Sequence, residues 1–266
     1  MSSSYKLMCV LAHPDDESLG IGGTLAKYAR QGVETYLVTA TRGERGRFGI
    51  SDEKPSPEEV GRIRQDELLA AAHILGIKEV HFLDYLDGDL DQSDPREAVN
   101  LIAEHFSRIK PQVVITFGPE GGYGHPDHIA ISQFTTAATL QAAYALNKHN
   151  PHQVSKLYYM AWSQRQWKAY QAAFRDLKTT VDGKERRAIP WPEWAITTRI
   201  DSRDYWEITW QAVSCHKTQL AIFPDLQDQS ETDHLAIWGI QEYYRAFSLV
   251  NGGRKRETDL FEGVQL

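Results

Sequence analysis

Two short apolar runs in this sequence each lead into a cluster of histidine and aspartate residues. Residues 7–11 precede Ala-His-Pro-Asp-Asp-Glu at positions 12–17, and residues 113–117 precede His-Pro-Asp-His at positions 125–128. Apolar runs of this length, bounded by turn-forming residues, predict buried strands. The carboxyl ends of parallel strands lie at one edge of a sheet, where ligands bind in such folds. The two clusters therefore predict two halves of one metal site, which is typical of a metal-dependent hydrolase.

Strands and helices are predicted to alternate along the chain. We predict strands at residues 6–11, 33–40, 80–83 and 113–117, and helices at residues 18–30, 57–75, 94–109, from 127 towards 143, and near 164–177. This order predicts an α/β fold, here a Rossmann-like and mostly parallel sheet with helices on both faces. Both polar clusters would then lie at the carboxyl ends of strands.

The spacing within each cluster predicts which side chains can share one ion. His13 and Asp16 are three residues apart, so a strand-to-helix turn returns them to the same side. Asp15 is adjacent to Asp16 and is therefore better placed beside the ion than on it. His125 and His128 are also three apart, so one of them can be the third ligand while the other faces the substrate. Three protein ligands leave an open position for water, as in catalytic zinc sites.

The length and charge of the chain limit the class of protein. A chain of 266 residues without a Pro/Gly/Ser-rich linker predicts one domain over residues 1–266, with a metal-binding core at 1–150. Residues 151–266 would form a C-terminal extension that contributes to the substrate pocket. The formal net charge of −7, without a long basic stripe, argues against nucleic acid as a partner. We therefore expect a small-molecule substrate, and the sequence leaves room for a homo-oligomer.

Cysteine use and the N-terminal segment bear on the compartment. The sequence contains two cysteines, Cys9 and Cys215, which predict no disulfide framework and a reducing, cytoplasmic compartment. The first apolar run is too short for the core of a signal peptide or for a membrane span. We expect a cytoplasmic protein without a membrane span.

The motifs resemble those of the PIG-L/LmbE-like N-deacetylases. This zinc-dependent family includes N-acetylglucosaminyl-phosphatidylinositol deacetylase and the deacetylases of the mycothiol and bacillithiol pathways. The matching motifs are Ala-His-Pro-Asp-Asp-Glu at 12–17, Thr-Arg-Gly-Glu at 41–44, Arg64 with Glu67-Leu68, Asp87-Gly88, and His-Pro-Asp-His at 125–128. Ser-Cys-His-Lys-Thr-Gln at 214–219 is similar to the family's C-terminal His-x-(Ser/Thr)-Gln segment. The two metal motifs together are specific, and the others are supportive.

The resemblance implies roles for the residues of the two metal motifs. His13, Asp16 and His128 would bind Zn²⁺, with Fe²⁺ or another divalent metal as the alternative. Asp15 would be the general base for the attacking water. His125 would stabilise the oxyanion of the tetrahedral intermediate and protonate the leaving amine.

The resemblance also implies roles for residues around the metal. Asp127 would orient a neighbouring histidine, as carboxylates that contact metal-binding histidines do. Tyr123 matches a position where some relatives hold a mobile tyrosine near the oxyanion. Glu44, Arg64 and Asp87 match positions that contact the substrate.

These roles predict a zinc-dependent hydrolase that removes an acetyl group from an N-acetylglucosamine-type substrate. Amide hydrolysis needs an activated water, a donor for the oxyanion and a proton for the amine, and the matching residues supply all three. An amidase acting on a mycothiol-like thiol conjugate, or on another small amide, is the nearest alternative. A non-haem iron oxygenase uses two histidines and one carboxylate too, but on a different fold. A carbohydrate-binding protein without catalysis would not need Asp15 and His125.

The tryptophans and one basic loop leave two interpretations open. All seven tryptophans lie after residue 160. We expect Trp206 and Trp210 to pack in the core or at a subunit interface. Trp191 and Trp194 are predicted to lie in a loop, where they either stack on a sugar or acyl group or pack. The loop at 42–59 either overhangs the metal and admits an anionic group, or is a solvated surface loop.

Overall fold

A mostly parallel sheet forms the centre of the molecule. The structure, a computed structural model, describes residues 4–49, 55–144, 151–174, 177–250 and 255–266. Within these ranges the strands are β1 (Lys6–Leu11), β2 (Glu34–Thr39), β3 (Glu79–Phe82), β4 (Val113–Thr116), β5 (Lys156–Met160), β6 (Lys178–Val181), β7 (Lys184–Arg187), β8 (Thr198–Asp201) and β9 (Ile240–Ser248). Seven of them form one sheet in the order β3-β2-β1-β4-β5-β9-β8, while β6 and β7 form a separate hairpin. The first five strands of the sheet are parallel, and β9 is antiparallel to both neighbours. The predicted α/β fold is confirmed.

Helices lie on both faces of the sheet. They are α1 (Asp16–Arg30), α2 (Pro57–Leu75), α3 (Pro95–Ile109), α4 (Gly121–Gly124), α5 (Pro126–Ala143), α6 (Gln164–Phe174), α7 (Trp206–Val213), α8 (Lys217–Leu220) and α9 (Glu231–Trp238). Helix α1 packs against α2 and α7, and α3 packs against α5. The described part of the predicted helix at 164–177 ends at Phe174, and residues 175–176 lie outside the described residues.

The ends of α2 follow from its sequence. The Ser56 hydroxyl accepts the backbone N–H of Glu59, and proline occupies the first helical position, where its missing N–H costs nothing. Gly76 ends the helix with φ 76°, a left-handed conformation that favours glycine. The predicted bounds, Pro57 and Leu75, are confirmed.

The pairing of β1 with β4 brings the two polar clusters together. Leu7 is opposite Val113 and Cys9 is opposite Ile115 in a parallel register. Residues 7–11 are fully buried, as expected for a parallel strand covered on both faces. Because the two strands are neighbours and run in the same direction, residues 12–17 and 117–128 lie at the same edge of the sheet.

The C-terminal part completes the same sheet and adds an aromatic cluster. Strands β5, β9 and β8 extend the sheet beyond β4, while the division at residue 150 stays a prediction. The Tyr170 hydroxyl and the Trp238 indole N–H both donate to the backbone carbonyl of Leu19, at 2.6 and 3.1 Å. These two bonds attach an aromatic cluster, which includes Tyr170 on α6 and Trp238 on α9, to the first turns of α1.

No helix in the described ranges combines the length and the apolar character that crossing a membrane requires.

Candidate metal centre

The turn between β1 and α1 is closed by a side chain. Oδ2 of Asp16 accepts the backbone N–H groups of Ala12 at 3.2 Å and His13 at 2.8 Å. This is why α1 begins at Asp16, two residues before the predicted start. Asp15 has a left-handed backbone, with φ 111°, which is uncommon for residues other than glycine. Strained positions of this kind persist where surrounding contacts hold them, and they cluster at functional sites.

His13 is held through both nitrogens of its ring. Nε2 lies 3.1 Å from Oδ2 of Asp127 and 3.1 Å from Oδ1 of Asp87, and Nδ1 lies 3.1 Å from Nε2 of His128. Burial alone would lower the pKa of His13, but the hydrogen bonds to Asp127 and Asp87 outweigh burial and raise it. The two carboxylates hold a proton on Nε2, and a metal ion at Nδ1 would displace the second proton that the raised pKa favours there.

Asp16 completes a cluster of donor groups from three residues. Its Oδ1 lies 3.5 Å from Nε2 of His128, and its Oδ2 lies 3.8 Å from Nδ1 of His13. Two ligand atoms bound at about 2.0–2.1 Å to a tetrahedral zinc ion stand roughly 3.4 Å apart. The three separations observed here join two imidazole nitrogens and both oxygens of Asp16, and their values of 3.1–3.8 Å bracket that distance. Two imidazole nitrogens and one carboxylate this close together fit a divalent cation.

His128 is positioned by α5 and by the end of β4. Its ring stacks on Phe117 with a centroid separation of 3.9 Å and an interplanar angle of 13°. Burial lowers the pKa of His128 well below its usual value, with further lowering from His13. A metal-binding histidine must be neutral, so this environment suits a ligand.

Asp127 connects His13 to the loop that follows β3. The side chain is fully buried, and its Oδ2 also accepts the backbone N–H of Gly88 at 2.7 Å. Its Oδ1 accepts the backbone N–H of Leu90 at 3.2 Å. A carboxylate fixed by two backbone donors holds the ring of His13 in one orientation.

Asp15 lies beside the three donors and contacts Arg64. One nitrogen of the Arg64 guanidinium, Nη2, lies 3.2 Å from Oδ2 of Asp15 and donates to the Pro14 carbonyl at 2.6 Å. The other, Nη1, donates to the Gly43 carbonyl at 2.9 Å. Burial raises the pKa of Asp15, against the lowering effect of Arg64, which makes its carboxylate a stronger base. Arg64 is 3% exposed, and its role as a substrate contact stays a prediction.

A buried ion pair next to Asp15 has no local signal in the sequence. Oε1 of Glu17 lies 2.7 Å from Nε2 of His216, and its Oε2 accepts the backbone N–H of Asp15 at 3.0 Å. Both side chains are almost completely buried. The partners are 199 residues apart in the chain, and only the similarity of residues 214–219 to the family's C-terminal segment indicated that His216 mattered.

His125 and Tyr123 lie beside the two histidines of the centre. His125 precedes α5, and its Nδ1 accepts the backbone N–H of Asp127 at 3.2 Å. Burial lowers the pKa of His125 to about 4, so the ring is neutral at neutral pH and carries its proton on Nε2. The ligand atoms of His13, His125 and His128 lie within 4.8 Å of one another. The Tyr123 ring is 5.4 Å from that of His128 and 6.0 Å from that of His125.

Asp87 and Glu44 link the centre to the loop after β2. Oδ2 of Asp87 accepts the backbone N–H of Arg45 at 3.1 Å, and the backbone N–H of Asp87 donates to Glu44 at 3.3 Å. Burial would raise the pKa of Asp87, but His13 outweighs it and lowers this pKa. Substrate contact by Asp87 and Glu44 stays a prediction. Residues 50–54 of the predicted overhanging loop lie outside the described residues.

The tryptophans divide into packed and exposed groups. Trp210 stacks on Trp238 and packs against the core, as predicted, whereas Trp206 stacks on His234 and is half-buried, so its packing in the core or at a subunit interface stays a prediction. Trp191 stacks on Tyr244 and donates to Glu120. Trp194 is 84% exposed. The tryptophan next to the metal centre is Trp162, which lines a cavity with Asp15 and Asp16 and which the sequence analysis did not single out.

Solved structures with the same fold catalyse different reactions. N,N'-diacetylchitobiose deacetylase from Pyrococcus horikoshii is 22% identical with a TM-score of 0.68, covering 91% of this chain and 84% of that chain. GalB, the 4-carboxy-2-hydroxymuconate hydratase from Pseudomonas putida KT2440, is 20% identical with a TM-score of 0.68, covering 94% and 99%. Because a deacetylase and a hydratase share the fold, the fold alone does not determine the reaction.

Sequence similarity is more specific than the fold. The family described as PIG-L, GlcNAc-PI de-N-acetylase, matches residues 8–139. The 1D-myo-inositol 2-acetamido-2-deoxy-alpha-D-glucopyranoside deacetylase of Rhodococcus jostii (strain RHA1) is 32% identical over 98% of this chain and 99% of its own. With this identity across nearly all of both chains, the protein belongs to the PIG-L family, as its motifs predict.

Proposed function

We propose that this protein is a metal-dependent N-deacetylase that acts on an N-acetylglucosamine-type substrate. The observation that carries the proposal is the convergence of His13 Nδ1, His128 Nε2 and Asp16 within 3.1–3.8 Å, with the Asp15 carboxylate beside them. Family membership and the deacetylase activity in the relatives' names favour amide hydrolysis over an oxygenase or a non-enzymatic sugar-binding protein.

His13, Asp16 and His128 are the proposed metal ligands. Zn²⁺ is the proposed ion because two imidazoles and one carboxylate with an open position are typical of catalytic zinc sites, and Fe²⁺ is the alternative for the same donors. A divalent ion held by these residues would polarise the amide carbonyl and make water more acidic. Asp127 and Asp87 keep the proton of His13 on Nε2 and leave Nδ1 free to bind.

The surrounding residues supply the proton transfers. Asp15, whose pKa is raised by burial, takes a proton from the attacking water as a new C–O bond forms at the carbonyl carbon. His125, with its proton on Nε2, donates a hydrogen bond to the oxygen that becomes negative, and Tyr123 is the second proposed donor. When the C–N bond breaks, the amine nitrogen takes the proton that Asp15 accepted from water, so the Asp15 carboxylate is regenerated and the products are acetate and a free amine.

The proposed substrate is an amino sugar, with Glu44, Arg64 and Asp87 as candidate contacts. The Rhodococcus jostii relative, by its name, deacetylates an inositol-linked N-acetylglucosamine. A thiol conjugate remains the alternative substrate within the same chemistry. We also infer a cytoplasmic location from the two free cysteines, Cys9 and Cys215, and one domain over residues 1–266.

The proposal is tested by assaying acetate release and bound metal together. We would purify the protein with its native metal, quantify that metal, and offer methyl N-acetylglucosaminide with and without a chelator. Asp15→Ala should retain metal and lose turnover, whereas His13→Ala and His128→Ala should lose the metal itself. Asp204→Ala, at an exposed aspartate, is the control and should match the wild type. Full activity of Asp15→Ala would overturn the general-base assignment, and metal-independent turnover would overturn the metal site.

A further inference from the structure

A cavity of about 170 Å³ opens directly onto the metal centre. Asp15, Asp16, Tyr123 and His128 form one side of it. The remaining wall is mainly apolar and is formed by Leu19, Trp162, Tyr170, Phe174, Leu177 and Phe223. Leu19 and a further apolar lining residue, Phe117, come from the N-terminal part, whereas the other five come from the C-terminal part, in agreement with the predicted contribution of that part to the pocket.

The apolar wall is a continuous stack of rings. Trp162 stacks on Tyr170 at 4.7 Å, and Tyr170 stacks on Phe174 at 5.6 Å. Phe174 meets Phe223 edge to face at 5.3 Å. Since the Tyr170 hydroxyl is bonded to the Leu19 carbonyl, this residue adds its ring rather than a polar group to the wall.

Polar groups are few in this wall. Among the described lining residues outside the metal centre, they are the hydroxyl of Tyr170, the indole N–H of Trp162 and the amide of Gln219. The amide nitrogen of Gln219 donates to the Arg47 carbonyl at 2.7 Å and to the Thr218 hydroxyl at 3.2 Å. A polyhydroxylated ring against the stacked aromatic rings would find partners for few of its hydroxyl groups, which is unfavourable.

We propose that the substrate carries a compact apolar group next to the amide that is cleaved, and that this group fills the cavity. The inference rests on the proposed function and specifies its substrate class. Apolar cavities of about 150 Å³ accept benzene, so a ring-sized group fits the volume, whereas the methyl of an acetyl group would fill little of it. The apolar group is either an N-acyl chain longer than acetyl or an apolar aglycone.

Two series of substrates distinguish these sources on the metal-loaded enzyme. The first varies the acyl group of methyl glucosaminide from acetyl to butyryl and benzoyl. The second keeps the acetyl group and varies the aglycone from methyl to phenyl and inositol. In one of the two series we expect kcat/KM to rise about tenfold from the smallest substituent, acetyl or methyl, to the ring-bearing one, benzoyl or phenyl. The inositol aglycone should give a kcat/KM no higher than the methyl aglycone does. A flat response in both series, or a preference for inositol, would overturn the inference.

Variants of the cavity wall test whether the cavity causes the higher kcat/KM of ring-bearing substrates. Leu177→Trp fills the cavity and should lower the ratio of ring-bearing to methyl kcat/KM by about tenfold. Phe223→Ala enlarges the cavity and should shift the preference towards larger groups. Leu140→Trp makes the same change as the first variant at a site on α5 that is 58% exposed, and it should keep the wild-type ratio. Equal ratios in all three variants would show that the cavity does not select the substrate.

A binding measurement separates this inference from the proposed function. Calorimetric titration of the metal-loaded protein with phenyl and methyl glucosaminide, both already deacetylated, reports on the cavity without turnover. If phenyl binds more tightly and Leu177→Trp abolishes the difference while no amide is cleaved, the preference of the cavity for an apolar group stands and the deacetylase proposal fails. If acetate is released, phenyl and methyl bind equally and the acyl series is flat as well, the deacetylase proposal stands and the cavity inference fails.

Discussion

Two buried polar clusters in this protein differ in how their charges are balanced. Glu257, in the C-terminal part, accepts hydrogen bonds from Lys156 at 2.8 Å, Arg245 at 2.7 Å and Thr198 at 2.9 Å. Tyr158 donates to the same carboxylate at 2.7 Å. Both oxygens of Glu257 have donors there, two of them cationic, so the negative charge is balanced and the carboxylate needs no further ligand.

The metal centre has the opposite balance. Asp15, Asp16, Asp87 and Asp127 converge there, and the guanidinium of Arg64 contacts Asp15 alone among them. Burial raises the pKa of Asp16 to about 7. By contrast, hydrogen bonds from Lys156, Tyr158 and Thr198 outweigh the burial of Glu257 and lower its pKa. A buried cluster with excess carboxylate favours a bound cation, whereas a balanced cluster contributes to the fold alone.

Removing the carboxylate of Glu257 tests whether the balanced cluster stabilises the fold. Glu257→Gln leaves the buried ammonium of Lys156 without its counter-ion, so we expect a loss of about 3–5 kcal/mol in the free energy of unfolding. Metal content per folded molecule should not change. Urea unfolding monitored by circular dichroism measures the loss. Glu185→Gln, in an exposed ion pair on β7, is the control and should cost less than about 1 kcal/mol. A similar cost for both variants would contradict the structural role of Glu257.

The second prediction concerns the metal centre. Asp127→Asn keeps the shape of the side chain but weakens its hydrogen bond to Nε2 of His13. We expect metal affinity to fall about 10–100-fold, measured by competition with a chelator of known affinity. The unfolding free energy of the metal-free protein should change much less than in Glu257→Gln. Unchanged affinity would mean that Asp127 does not orient His13.

The smallest expected effect is a difference in pH dependence. Because the pKa of Glu257 is lower in the folded protein than in the unfolded chain, the stability that it contributes is present above the unfolded pKa of about 4.3 and is lost as the pH falls through the folded value. The wild type should therefore lose stability between pH 5 and lower pH more steeply than Glu257→Gln does. Unfolding curves at matched pH values give both slopes, and parallel slopes would count against the lowered pKa.

The sequence predicted the central strands β1 and β4 better than the far side of the sheet. Residues 7–11 are all apolar, and residues 113–117 are apolar except for Thr116, because parallel strands are buried on both faces, and this pattern is readable locally. Strand β9, Ile-Gln-Glu-Tyr-Tyr-Arg-Ala-Phe-Ser, mixes polar and apolar residues, so its place between β5 and β8 depends on contacts distant in sequence. The exposed hairpin of β6 and β7 has no apolar run to identify it.

The candidate site also combines residues that a local sequence pattern predicts with residues that no local pattern predicts. The spacing of residues within two short motifs predicted His13, Asp16 and one of the two histidines His125 and His128 as ligands, since a turn converts that spacing directly into proximity, and the family resemblance selected His128. The pairing of Glu17 with His216 was not found, and neither was the apolar wall around Trp162. Both depend on the C-terminal part folding back onto α1, which no local pattern specifies.

The backbone carbonyl of Leu19 limits which substituents the enzyme can recognise. Its carbonyl anchors the aromatic wall through Tyr170 and Trp238, and it lies three residues after Asp16 on α1, an axial distance of about 4.5 Å. The apolar wall and the proposed metal ligand Asp16 are therefore fixed to the same turn of α1 and keep a constant separation. This separation sets the distance from the cleaved bond at which the cavity accepts an apolar substituent.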